Sequence, residues 1–101
     1  MALMTRDQVI AKLREHEIEL KSAGILRLAV FGSVARGDAS PVSDVDLIGE
    51  FDREKHLTLF DMAGLEIRLG EIVGTRVDLA DRKLLKHSIK LRAEREAILA
   101  F

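Results

Sequence analysis

Gly32, Ser33, Arg36, Asp44, Asp46 and Asp78 are the residues whose types and spacing suit chemistry, and all but Asp78 fall in one stretch, FGSVARGDASPVSDVDLIGEF, from Phe31 to Phe51. A glycine at 32 lets the backbone approach a ligand closely, and free amides at a helix start attract anions. Ser33 adds a hydroxyl donor, and Arg36, one turn on, could add a charged donor to the same phosphates. Asp44 and Asp46 lie two apart at the start of a strand, so both carboxylates project from one face with Cα atoms about 7 Å apart. Hard cations such as Mg2+ take such oxygens together with the oxygens of a substrate phosphate. Asp78 lies on the face of its strand opposite Val77 and Leu79, and it joins the pair if the second and third strands are neighbours. Three acids that close repel one another unless cations neutralise them. Phosphate at one end and a divalent metal at the other point to nucleotide chemistry.

Each piece also has a plain reading. Gly-Ser is an ordinary turn and helix cap, and alone it says little. An Asp-x-Asp is commonly a solvated strand start, although here the strand continues as Leu47 and Ile48 into the core. Asp78 is evenly balanced between a metal ligand and an edge-strand acid paired with Arg76 or Lys83.

The elements that must position these residues follow from periodicity. Thr5 with Gln8 reads as a capping box, opening a helix to about Ser22 that buries Val9, Leu13 and Leu20 and stops at Gly24. His16 reads as a histidine at the edge of that packed face. Ile25 to Phe31 is a buried strand. The polar run from Ser33 to Ser43, broken by Gly37 and Pro41, holds at most one helical turn. Val45 to Phe51 is a second strand, with Asp44, Asp46, Ile48 and Glu50 on one face. From Thr58 to Val73 the apolar residues step by three and four, giving a long helix closed by Gly74. Phe60, Ala63 and Ile67 fall on its other side, either as a partner surface or under another part of the chain. Thr75 to Ala80 is a third strand, and a last helix is expected from about Arg82 to the C-terminus, with Leu84, Leu91 and Ile98 at heptad spacing.

Composition narrows the function. At 101 residues the chain, 1–101, is expected to be a single domain. A formal net charge of -1 argues against a generic polyanion binder, whose affinity needs clustered Lys and Arg; no stable nucleic-acid binding is expected. The absence of cysteine excludes disulfides and thiolate zinc sites. No apolar run reaches the roughly eighteen residues of a membrane span, and MALMTRDQV lacks the form of a signal peptide. A cytoplasmic protein without membrane contact is the expectation.

Gly32-Ser33, ten intervening residues and then Asp44-x-Asp46 match the signature of the DNA polymerase β-like nucleotidyltransferase superfamily. The string GSVARGD…SDVDL resembles its smallest members, the minimal nucleotidyltransferases, known as the antitoxin half of HEPN/MNT toxin–antitoxin pairs. The resemblance extends to the order of helices and strands and to the segment from Leu65 to Leu79, and so covers nearly the whole chain. It implies an α+β fold, a small mixed sheet with helices packed on it in the order α-β-α-β-α-β-α. It further implies that Ser33, with the backbone after Gly32, holds the β- and γ-phosphates of ATP with Arg36 as a helper. By the same resemblance Asp44 and Asp46 bind two Mg2+ ions, and Asp78 is the third acid, binding one metal and helping to deprotonate the attacking hydroxyl. The implied activity is transfer of AMP to a protein hydroxyl, a tyrosine, of a cognate HEPN toxin, as a type VII-like antitoxin. No acceptor site is evident in the sequence, so the acceptor is expected on a partner. Two other readings stand beside this one: a non-catalytic nucleotide-binding module that masks its partner, and a small-molecule nucleotidyltransferase whose acceptor site forms at a homodimer interface.

Overall fold

A computed structural model describes residues 5–37 and 44–101. It opens on the expected capping box: the Gln8 amide donates to Thr5 Oγ1 and the Thr5 amide donates to Gln8 Oε1, at 3.2 and 2.8 Å. The single first helix anticipated from the sequence is two, α1 (Arg6–Glu15) and α2 (Glu17–Ser22), broken at His16. The cause is local. The His16 ring nitrogen Nδ1 lies 2.9 Å from the Lys12 carbonyl, which can only accept, so the imidazole takes the acceptor that the next helical turn would use. The His16 amide turns instead to Leu13, at 3.1 Å.

The chain continues through β1 (Ile25–Phe31), α3 (Gly32–Arg36), β2 (Val45–Phe51), α4 (Leu59–Val73), β3 (Val77–Asp81), α5 (His87–Glu96) and β4 (Ile98–Leu99). A 3-10 turn precedes α4 and another precedes α5. The polar run after β1 does contain one short helix, α3; its remainder, 38–43, lies outside the described residues. Thr58 caps α4 by exchanging hydrogen bonds with Asp61, and Gly74, in the left-handed region at φ 76°, ends it.

The last helix is the larger departure from expectation. It stops at Glu96, and Ile98–Leu99 forms a fourth strand on β1, followed by Ala100, whose amide donates to the Leu28 carbonyl at 2.8 Å. The heptad of Leu84, Leu91 and Ile98 is not a helical stripe: Leu84 is 81% exposed in a 3-10 turn and Ile98 is in the sheet.

The sheet order is β3-β2-β1-β4. β2 and β3 are parallel and joined through α4, a crossover that parallel strands require, while β1 pairs antiparallel with β2 and β4. The fold is thus the expected α+β architecture with a mixed sheet. One face of the sheet carries the main core, where Leu28, Val30, Val45, Leu47 and Val77 meet Val9 and Leu13 of α1, Leu20 of α2 and Leu69 and Val73 of α4. A bidentate fork from Arg68 to Glu19, at 2.6 and 2.9 Å, ties α4 to α2. The other face is covered in part by α5. Ile48 and Ala93 are buried there but stand outside the main cluster. Among the described residues no helix is long and apolar enough to cross a membrane.

Candidate nucleotidyl-transfer site

The parallel register of β2 and β3 sets Asp46 directly beside Asp78, and on the other side β1 sets Phe31 opposite Asp46. Partners on neighbouring strands point to the same face, so Phe31, Asp46 and Asp78 form a row across the sheet at about 4.8 Å per step. Both acids are the second residue of their strands. Because β2 and β3 run the same way, their starting ends coincide, and one crossover brings together acids that are far apart in sequence. Asp44 precedes β2 and is exposed. The entry of the chain there is fixed by the Val45 amide, which donates to the Arg76 carbonyl at 3.0 Å.

Gly32 follows Phe31 and turns the chain from β1 into α3 at φ 73°, in the left-handed region. A Cβ at this position would run into the Asp46 carboxylate. The glycine therefore has two duties, permitting the turn and letting backbone press against the acid. Ser33, partly buried, lies in the first turn of α3, and Arg36 in its last, before Gly37 at φ 78°.

Burial pushes the Asp46 carboxyl above its ordinary value; the charges of Asp78 and then Asp44 add to the rise, and Arg36 opposes it. Three carboxylates face one guanidinium in this account, and a divalent cation would relieve that imbalance. The hard oxygen donors suit a cation of the Mg2+ class, which completes its shell with water and substrate phosphate. Among the described residues no three His, Asp or Glu side chains converge into a ready ligand set. Asp46 and Asp78 are adjacent, whereas Asp44 acts on Asp46 through its charge. Among the described residues the ion-paired acid of β3 is not Asp78 but Asp81, which accepts two hydrogen bonds from Arg53 at 3.0 Å and one from the Lys83 amide.

Two features escaped sequence reasoning. A cleft of about 400 Å3 lies between the sheet and α5, floored by Ala29, Ile48 and Ala93 and rimmed by Glu50, Arg82 and Glu94. Ile48 is one strand repeat, about 7 Å, from Asp46. Arg92 and Glu96 of α5 stand against Phe31 and Arg36. Their spacing of four residues was the available signal, but only the turn of α5 across the sheet gives it meaning.

A glycine-led turn against a strand-borne acid row is the arrangement of a nucleotidyl-transfer fold, and a family model described as a nucleotidyltransferase domain matches residues 10–100. The chain belongs to this family, and it is a nucleotidyltransferase. It is 35% identical over 99 residues to the protein adenylyltransferase MntA of Thermococcus cleftensis, a match covering 97% of this chain and 98% of that one. A candidate protein adenylyltransferase of Methanocaldococcus jannaschii is 33% identical over 75 residues, 74% of this chain and 78% of its own. Among solved structures, one described as a candidate minimal nucleotidyltransferase superposes with a TM-score of 0.79 at 36% identity, covering 97% of this chain and 98% of that one. A toxin–antitoxin crystal structure with AMP-PNP shares the fold at a TM-score of 0.69 and 18% identity, covering 97% of this chain and 73% of that one.

Proposed function

We propose that this chain transfers AMP from ATP to a hydroxyl, a tyrosine, of a cognate HEPN toxin and so acts as its antitoxin. The observation that carries the reading is the register that sets Asp46 beside Asp78 with Gly32 pressed against Asp46. Near full-length similarity to a protein named a protein adenylyltransferase supports a protein acceptor.

The residues divide the work as follows. Asp44, Asp46 and Asp78 would hold the divalent cations, two Mg2+ ions, which would supply positive charge to the phosphoryl oxygens. Ser33 and the backbone after Gly32 hold the β- and γ-phosphates, and the Arg36 guanidinium offsets their charge. Asp78 takes the proton of the acceptor hydroxyl. The hydroxyl oxygen forms its bond to the α-phosphorus as the bond from that phosphorus to the β-phosphate oxygen breaks in line, and pyrophosphate departs. Incubation with labelled ATP, Mg2+ and the product of the neighbouring gene is expected to label that protein, with Asp46→Asn reducing labelling at least about 100-fold. An unlabelled partner with wild-type enzyme, or equal labelling by the variant, would overturn the catalytic reading.

A second reading, a module that neutralises its partner by masking alone, is favoured by one observation. The outer face of α4 leaves Phe60 91% and Ile67 67% exposed, with Ala63 exposed between them. Neutralisation that survives loss of both Asp44 and Asp46 would select this reading.

A further inference from the structure

We propose that Arg92 is an additional binding residue of the site, a cation carried in on α5 for the phosphate tail of the nucleotide and held beside Arg36 by Glu96. The proposal rests on the nucleotidyl-transfer reading and extends it to an element the sequence motif does not contain.

The argument begins at Phe31, which stands opposite Asp46 on the neighbouring strand. Arg92 lies over the Phe31 ring, its Cζ 5.9 Å from the centroid. That places a guanidinium on the same sheet face as the acids and one strand away from Asp46. Four residues on, Glu96 Oε2 is 3.9 Å from Arg92 Nη2 and 4.0 Å from Arg36 Nη1. The same oxygen is buried and accepts no hydrogen bond from the described residues. One carboxylate oxygen therefore holds two arginines by charge at distances longer than a hydrogen bond, and it does not saturate the N–H fork of Arg92.

The charge layout assigns a direction to a bound nucleotide. Asp44, Asp46 and Asp78 put three negative charges on one side, whereas Arg36, Arg92 and Glu96 sum to a positive rim on the other. A nucleoside triphosphate whose α-phosphorus sits at the acids must send its β- and γ-phosphates away from them, and the rim on α3 and α5 is where that charge is compensated. Arg36 comes from α3, which the Gly32 turn opens, and Arg92 comes from α5 across Phe31, so two separate elements build the rim. Arg92 is half exposed, with 52% of its side chain open to solvent, so it can turn from Phe31 to a ligand without unpacking the core.

Calorimetric titration of wild type, Arg92→Ala and Arg92→Lys with ATP and with AMP, all with Mg2+, tests the assignment. Arg92→Ala is expected to weaken ATP binding about tenfold or more, the usual loss for a charged hydrogen bond, and to leave AMP binding within about twofold. Arg92→Lys should recover part of the loss, because it restores the charge without the fork. Unchanged ATP binding in Arg92→Ala, or equal losses for ATP and AMP, would overturn the proposal, the second outcome marking Arg92 as merely structural. Wild type that binds no ATP would instead remove the nucleotidyl-transfer reading itself, and this inference with it.

Discussion

Asp46 is the most constrained residue of the site, with Phe31 on one side, Asp78 on the other and the Gly32 backbone against its carboxylate. Burial, then Asp78 and Asp44, hold its pKa above the ordinary value. The native state therefore keeps a proton to higher pH than the unfolded chain does. In EDTA the protein should lose stability as pH rises from about 3.9, the ordinary aspartate value, through the raised pKa. Asp46→Asn removes that ionisation and is expected to melt higher than metal-free wild type at pH 7, with the difference fading below pH of about 4. Equal melting temperatures at pH 7 would contradict this electrostatic account. Gly32→Ala combines a left-handed φ with a collision at the same carboxylate. It should cost on the order of 1–3 kcal/mol in denaturant unfolding and lower activity as well, since Asp46 must move to admit the methyl group.

The elements that set the site are pinned at their ends. α4 connects the two acid-bearing strands, and its start depends on the exchange between Thr58 and Asp61. Hydrogen bonds from the backbone and side chain of Thr58 hold the Asp61 carboxyl below its ordinary value. This contribution is present above about pH 3.9 and is lost as pH falls through the depressed pKa. Thr58→Ala is expected to cost about 1 kcal/mol of stability by urea unfolding, and a change below about 0.3 kcal/mol would show that packing alone fixes the helix start. At the other end of the chain, Ala100 is 1% exposed, and its carbonyl accepts from Arg14 Nε at 2.6 Å. The C-terminal residues thereby close the β1 edge and tie it to α1. Sequence reasoning missed this strand because Ile98 and Leu99 are apolar residues at helical spacing from Leu91, and two residues are too few to show the alternation of a strand.

At the scale of the molecule, the two faces of the sheet do different jobs. One buries the apolar side chains that give the domain its stability; the other carries the acid row and the cleft beneath α5. If the acids and the arginine rim form one nucleotide site, Mg2+ with ATP should raise the melting temperature through binding linkage. Ligand at one hundred times its dissociation constant is worth about 2.7 kcal/mol, enough to shift a domain of this size by roughly 10 °C or more. The shift should vanish in Asp46→Asn, and its absence in wild type would count against a preformed site. The masking reading concerns the exposed face of α4 instead. Phe60→Asp should leave the melting temperature nearly unchanged because Phe60 is 91% exposed. Under the masking reading it should also weaken capture of the partner, as measured by co-purification.

The sequence by itself determined the local pieces: the cap at Thr5, the apolar stripe of α4, β2 to the residue, and the spacing of Gly32-Ser33 from Asp44 and Asp46. These are legible because hydrogen-bond capping and helix or strand periodicity depend on near neighbours. The break at His16 was not, since it turns on a ring hydrogen bond competing with a backbone one. Tertiary structure alone decided that Asp46 pairs with Asp78 and that Arg92 stands over Phe31. Both depend on strand register and on the path of α5 across the sheet, which are set by packing between distant segments and leave no periodic trace in the chain.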